Sequence, residues 1–400
     1  MELLRTQKEK LYDFEILSID ARLLNNETNR KRLLAVLLQL NNYDLSRFFI
    51  INNKEEKNNV QKFIKQNNLK AETIKVTSPT DKAKKLLSLV LPSGKTKIED
   101  KINAGKKIFH LGYRKTKFID VFEPPEGVVC YKFHKIVWGS QCPFDCAYCF
   151  LQLTYRIFPY VQQYLNLDKL FQEMDKLNDK LDKQVILNSG ELADSLALDE
   201  LTGISNEVIS KSLELNKIKI LLLSKSNKVD HLRQVPEGQA ILSMSLNTSS
   251  NIKMFEAGTA LANERIKALK KAANKGYEIR CRIDPIIIYS NQWQQEYEEL
   301  IARLLDTVSP TVITLGQPRF YPMLLNLIKK RNPKAGKYFA SNSGLAAGKR
   351  KRASLDQRLK VYDQVINLIN KYGNSKIALC KEDPDIFKEL DLNQKVCNCV

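Results

Sequence analysis

The chain has 400 residues, 43% of them hydrophobic, which is enough for a sizeable core. Its 64 Lys and Arg outnumber 45 Asp and Glu, for a formal charge of +19, so polyanions such as a phosphate backbone are natural partners. No apolar run approaches the roughly 20 residues of a membrane span, and the opening Met1-Glu-Leu-Leu-Arg-Thr-Gln-Lys turns charged at once, so neither a membrane protein nor an exported one is expected. With eight cysteines and no export signal, a cytoplasmic location follows as an expectation. Residues 1–110 carry weak α/β patterning, helical over 33–40 and strand-like over 48–52, without evident chemistry. From 111 to 328, six short apolar runs follow one another at 132–138, 184–188, 218–224, 240–247, 279–288 and 311–315. Each is trailed by a helix-length segment, the pattern of parallel strands buried on both faces and joined by right-handed crossovers. Asn166 is placed to cap a helix with Leu167, Leu170, Phe171, Met174, Leu177 and Leu181 on its apolar face. Six such units predict an α/β fold, an open (β/α)6 partial barrel with its chemistry at the C-terminal strand ends. Residues 329–353 hold nine Lys or Arg and no acid, interleaved with Tyr338 and Phe339 and with Gly336, Gly344 and Gly348, and read as a basic loop. Residues 354–400 read as a helix opened by a Ser354–Gln357 capping box, then a tail with Cys380, Cys397 and Cys399.

The chemistry concentrates after the first strand, in Cys142-Pro-Phe-Asp-Cys146-Ala-Tyr-Cys149. This C-x3-C-x2-C spacing lacks the fourth ligand of a structural zinc site; His134 is the nearest candidate. Thiolates are the usual ligands of a [4Fe–4S] cluster, and three of them leave one iron open to a substrate.

The spacing, with an aromatic before the third cysteine, resembles the cluster motif of the radical S-adenosylmethionine (SAM) enzymes. Further runs resemble the spore photoproduct lyase-like family in order and spacing over 112–319. They are Gly112-Tyr-Arg-Lys-Thr, Cys149-Phe-Leu-Gln, Ser224-Lys225 ahead of Val229-Asp-His-Leu, Ser245-Leu-Asn247, Phe255-Glu-Ala-Gly-Thr, Glu264-Arg-Ile and Pro285-Ile-Ile-Ile, with Trp293 and Tyr297 beyond. The resemblance implies a radical SAM partial TIM barrel with a small N-terminal α/β extension and a C-terminal helical, cysteine-containing one. It also implies a [4Fe–4S] cluster on Cys142, Cys146 and Cys149, and SAM cleaved reductively to a 5′-deoxyadenosyl radical that abstracts hydrogen from a nucleic-acid base or nucleotide. An electron donor such as a ferredoxin or flavodoxin would supply the reduction. Carried over residue by residue, Lys225 would neutralise the methionine carboxylate, and Ser245 or Asn247 would bond ribose or carboxylate. Ser189-Gly190-Glu191 would receive the cofactor's amino group, and Tyr148 would shield the cluster or touch the adenine. Arg114 and Arg319 would hold phosphates of the DNA or RNA substrate.

Two positions depart from the lyases. Glu191 stands where they carry a hydrogen-donating cysteine, and Phe150 where they carry a tyrosine, so dimer repair by the same route is not expected. Cys380, Cys397 and Cys399 are open to three readings: a replacement hydrogen donor, a second cluster or zinc site completed by Cys281 or Cys130, or inert thiols. Two further alternatives remain at this level, a non-catalytic iron–sulfur protein that binds nucleic acid or senses redox state, and a radical SAM enzyme acting on a small molecule.

Overall fold

The structure is a computed structural model that describes residues 12–342 and 350–400. Its strands, in chain order, are β1 (Ile16–Asp20), β2 (Ser46–Ile51), β3 (Glu72–Lys75), β4 (Ile108–Gly112), β5 (Ile119–Phe122), β6 (Phe133–Ile136), β7 (Gly139–Ser140), β8 (Asp145–Cys146), β9 (Val161–Tyr164), β10 (Val185–Asn188), β11 (Ile218–Ser224), β12 (Ala240–Ser245), β13 (Glu256–Ala257), β14 (Glu278–Ile283), β15 (Val312–Leu315) and β16 (Lys376–Leu379). The chain divides into two compact units.

The first unit comprises residues 1–117, 138–143 and 154–170. Its sheet runs β3-β2-β1-β4-β9-β7, parallel except for β7. Strand β1 is buried throughout, as a central strand covered on both faces must be. Side chains of Asn26, Asn53 and Ser78 cap the helices Glu27–Gln39, Lys54–Gln66 and Pro79–Ser88 by accepting backbone N–H groups that would otherwise be orphaned. Asn166 directly precedes the helix Leu167–Lys180, as expected, and its side chain brackets the backbone of Arg114: it accepts from the Arg114 N–H at 2.8 Å and donates to the Arg114 carbonyl at 3.1 Å.

The second unit comprises residues 118–137, 144–153 and 171–400. The six strands expected from the hydrophobic runs lie side by side in chain order, as β6, β10, β11, β12, β14 and β15. The sheet is larger than expected: β16 adds a parallel strand at one edge and β5 an antiparallel one at the other, and the sheet stays open. Strands β11, β12 and β14 are almost wholly buried. Register pairs Ser243 with Arg280, Ser245 with Arg282, and Arg282 with Thr314. Alternation along each strand therefore puts these five polar residues on one face and Cys281 on the other.

The segment read as a basic loop opens with two helices, Pro322–Arg331 and Pro333–Ser341, while Gly344 and Gly348 lie outside the described residues. Its aromatics serve packing: Tyr338 and Phe339 stand 5.4 and 5.0 Å from the ring of Phe255, in a cluster with Phe320 and Leu324. The Ser354–Gln357 capping box is present and opens the helix Leu355–Tyr372. Arg358 on that helix ties down the segment after β16 through Glu382 and through Asp383 at 2.8 Å.

Candidate active site

Lys225 follows the last residue of β11, and Asp194 fixes its position. That buried carboxylate accepts from the Lys225 N–H (2.7 Å), the Ser224 hydroxyl (2.7 Å) and the N–H groups of Leu196 and Ala197 (3.0 and 2.9 Å). The Lys225 ammonium donates to the Ser245 hydroxyl at the end of β12, lies 3.6 Å from Glu256 Oε1, and sits 5.7 Å from the centre of the Tyr148 ring.

Glu256 is the hub. Its Oε1 accepts from the Tyr148 hydroxyl and, at 3.4 Å, from Asn247; its Oε2 pairs with Arg265 at 2.7 Å. Both side chains of the Glu256–Arg265 pair are fully buried. Arg265 satisfies its other donors on the carbonyls of Ser245 (2.7 Å) and Ala260 (2.8 Å) and on Thr259 Oγ1 (2.6 Å). Burial by itself would raise the Glu256 pKa, but the Lys225 ammonium and the Arg265 guanidinium outweigh it and hold the carboxyl down to about 2. The same burial, together with Glu256, pushes the Tyr148 phenol well above its ordinary value, so that ring stays neutral. Two cations thus face one carboxylate. The surplus positive charge suits an incoming carboxylate, which would otherwise be expensive to desolvate.

Glu256 also joins this group to the cysteine loop. Its backbone pairs with Cys146 across β13 and β8, and the Ala147 N–H donates to the Phe255 carbonyl at 2.8 Å. Gln152 and Arg331 brace the loop from its other side, on the Ala147 carbonyl (2.8 Å) and on Asp145 (2.9 Å). Cys146 and Cys149 share a tight turn, with the Cys149 N–H bonded to the Cys146 carbonyl at 3.1 Å. Cys142 is buried and belongs to the first unit, where Lys106 donates to its carbonyl oxygen. Three thiolates are the donor set that suits an iron–sulfur cluster. Among the described residues, no group of three or more His, Cys, Asp or Glu is gathered to hold a metal ion.

Other expected residues are placed differently. Ser189 is turned inward, 2.7 Å from Ser195 Oγ and donating to the Leu221 carbonyl at 2.9 Å. Gly190 is required by packing: a Cβ there would lie 2.4 Å from the Leu223 Cβ. Gly190→Ala is therefore expected to destabilise the protein by about 1–3 kcal/mol, which thermal unfolding checks. Asn247 is enclosed by Thr248, Asn251, Tyr297 and the Pro285 carbonyl, at 2.9 to 3.2 Å. Glu191 lines a cleft with Cys130, Arg282, Cys380, Cys397 and Cys399, none of which touches Lys225. Arg319 is folded inward, onto Asp284 at 3.2 Å, the Gln317 carbonyl at 3.1 Å and Cys380 Sγ at 3.2 Å. Arg114, in the first unit, lies 5.2 Å from the centre of the Tyr164 ring and donates to the Lys117 carbonyl at 2.8 Å.

Of the two further ligands named for the metal reading of the C-terminal cysteines, Cys130 lines the same cleft as Cys380, Cys397 and Cys399, whereas Cys281 is on the face of β14 opposite to Arg280 and Arg282, which hold the tail. Glu256, Arg265 and Asp194 were not singled out from the sequence. Arg265 had a signal, since it interrupts the buried stripe Ala262, Ile266, Leu269 and Ala272 of its helix.

The sequence profile of the spore photoproduct lyase family matches residues 53–351. The chain belongs to that family. A spore photoproduct lyase of Bacillus subtilis (strain 168) is 27% identical over 248 residues, which cover 60% of this chain and 70% of that one. A lyase of Geobacillus sp. (strain Y412MC61) is 29% identical over the same shares. Among solved structures, a spore photoproduct lyase complexed with dinucleoside spore photoproduct superposes with a TM-score of 0.67 at 20% identity, covering 92% of this chain and 99% of that one. A mutant lyase with bound AdoMet and the same dinucleoside gives the same values. The α/β fold of the spore photoproduct lyases is therefore the fold of this chain. Among the described residues no helix is long and apolar enough to cross a membrane.

Proposed function

We propose that this member of the spore photoproduct lyase family is a radical SAM enzyme acting on a nucleic-acid base or nucleotide. The observation that carries the reading is the continuous bonding from the cysteine loop, through Tyr148 and Glu256, to Lys225 and Ser245 at the strand ends. In this reading Cys142, Cys146 and Cys149 would hold a [4Fe–4S] cluster, which with bound SAM would supply a 5′-deoxyadenosyl radical to abstract hydrogen from the substrate. Lys225 takes the methionine carboxylate, with Ser245 orienting its ammonium, while Glu256 and Arg265 keep both in place. Tyr148, neutral and braced by Glu256, covers the cluster side of the pocket.

Nucleic acid as the substrate rests on the family and on the charge of +19. Arg331 and Arg352 of the basic segment are held in ion pairs with Asp145 and with Glu382 and Asp383, so the phosphate contacts in this reading come from its lysines and from Arg350. Binding of a single-stranded oligonucleotide should weaken steeply with salt, by roughly tenfold or more between 50 and 200 mM for several phosphate contacts. Salt-independent binding, or none, would favour a small-molecule substrate. With Glu191 in place of the donor cysteine, return of a hydrogen atom to product falls to another group, for which the tail thiols are the sequence's candidates.

A further inference from the structure

The last four residues of the chain lie against the polar face of the second unit's sheet. Arg280 donates to the carbonyl oxygens of Asn398 (2.8 Å) and Val400 (3.1 Å), and Asn398 donates to the Cys281 carbonyl at 3.1 Å. These bonds set Cys399 beside Arg282, whose Nη2 is 2.8 Å from the Cys399 sulfur, with Asn188 Nδ2 at 3.5 Å. Arg282 is 8% exposed, and its Nε is buried without a partner among the described residues. Glu191 and Asp284 are the carboxylates whose charge reaches it, and the Cys399 sulfur is the group that accepts its Nη2 hydrogen bond. Cys397 completes the arrangement: the Cys399 N–H donates to its sulfur at 3.4 Å. Cys397 is partly exposed and lines a shallow cleft with Cys130, Glu191 and Cys380. Each residue from 398 to 400 is held by a hydrogen bond from Arg280 or Arg282.

We propose that Cys397 and Cys399 form a reversible thiol–disulfide exchange site, with Cys397 attacking an external disulfide and Cys399 resolving the adduct. The neighbouring Cys399 thiol, with the Cys399 N–H and Arg282 behind it, outweighs burial and lowers the Cys397 thiol to about 7. Shared between two sulfurs, the first proton is easily lost and the second is held more tightly, which divides the pair into a nucleophile and a protonated resolving thiol. Burial pushes Cys380 up to about 12, which removes it as a competing nucleophile at neutral pH. In the first step the Cys397 thiolate attacks RS–SR, forming Cys397–S–S–R and releasing RS⁻. In the second, the Cys399 thiol gives up its proton and attacks Cys397, closing Cys397–S–S–Cys399 and releasing the second sulfur as RSH. The protein loses two electrons, and the external disulfide gains them. A disulfide across a single intervening residue closes a tight ring, which makes it easily reduced and suits a reversible modification. Because Arg282 registers against Ser245, the modified pair stands one strand away from the Lys225 site. The proposal does not depend on the radical reading of that site.

The test uses the full-length protein, reduced and then equilibrated anaerobically with glutathione disulfide over a range of ratios to glutathione. Peptide mass spectrometry after differential alkylation should find the 397–399 disulfide, reversible with dithiothreitol. Cys399→Ser should instead accumulate the Cys397–glutathione adduct, and its alkylation by iodoacetamide at pH 7 should slow by roughly tenfold as the stabilising thiol is lost. A disulfide to Cys380, a stable adduct on Cys397 in the unmodified protein, or no reaction in the folded protein would overturn the proposal. Arg282→Lys, which keeps the charge but not the planar fork, should also slow alkylation of Cys397. Equal rates with and without the guanidinium would remove Arg282 from the site.

Discussion

Glu256→Gln is expected to destabilise the protein by about 3–5 kcal/mol, because it leaves the Arg265 guanidinium buried without its counter-charge. The side chain of Arg265 is fully buried, and among the described residues its only carboxylate partner is Glu256, at 2.7 Å. Lys225 loses the same carboxylate but sits nearer to solvent and keeps Ser245, so the larger cost falls on Arg265. The loss has a pH signature. A carboxyl held at about 2 when folded, against an ordinary value of 4.5, stabilises the native state above pH 4.5, and that contribution disappears as pH falls toward 2. Urea unfolding of both proteins between pH 7 and pH 3 should therefore show a large gap at neutral pH that narrows with acid. Equal stability at pH 7 would mean that the carboxylate is not the counter-charge of Arg265. The effect should also reach the cysteine loop, since the Glu256 backbone pairs with Cys146 and its carboxylate holds Tyr148.

Lys225→Met should separate binding from stability. The proposed role of the ammonium is to neutralise the cofactor carboxylate, and charge-assisted hydrogen bonds of this kind are worth about 1.5–3 kcal/mol. The SAM dissociation constant is then expected to rise by roughly 10- to 150-fold, with the melting temperature little changed because Arg265 still balances Glu256. Isothermal titration on reconstituted protein reads the first, and thermal unfolding the second. Unchanged SAM affinity in a folded variant would move the carboxylate site elsewhere.

The strands were legible because parallel strands covered on both faces leave continuous apolar runs, and all six runs became neighbours in one sheet. The flanking strands β5 and β16 were less so, being short edge strands with one or two exposed residues in four. Lys225 and Ser245 could be found by resemblance, and they meet. Glu256 lay in the run Phe255-Glu-Ala-Gly-Thr but was given no role, since a lone acid after a helix reads as a solvated turn until tertiary contacts bury it beside Arg265. Gly190 shows the opposite failure: a glycine at a strand end reads alike whether it admits a ligand or a neighbouring Leu223. Tyr338 and Phe339 sat among the lysines of a run read as a basic loop, yet they belong to the aromatic core around Phe255. The tail was half legible. The alternation Arg280-Cys281-Arg282 marks a strand with a charged face, but only the fold shows that the chain's own C-terminus covers it.

The central claim is that the three loop cysteines hold a cluster that activates SAM next to Lys225. Anaerobic reconstitution of the unmodified protein and of a Cys142/Cys146/Cys149→Ala variant, followed by iron analysis and assay of 5′-deoxyadenosine with dithionite and SAM, tests it most directly. The expected result is about four irons per chain and deoxyadenosine in the unmodified protein, with both lost in the variant. A fully loaded cluster that yields no deoxyadenosine, or iron retained when the three cysteines are gone, would contradict it.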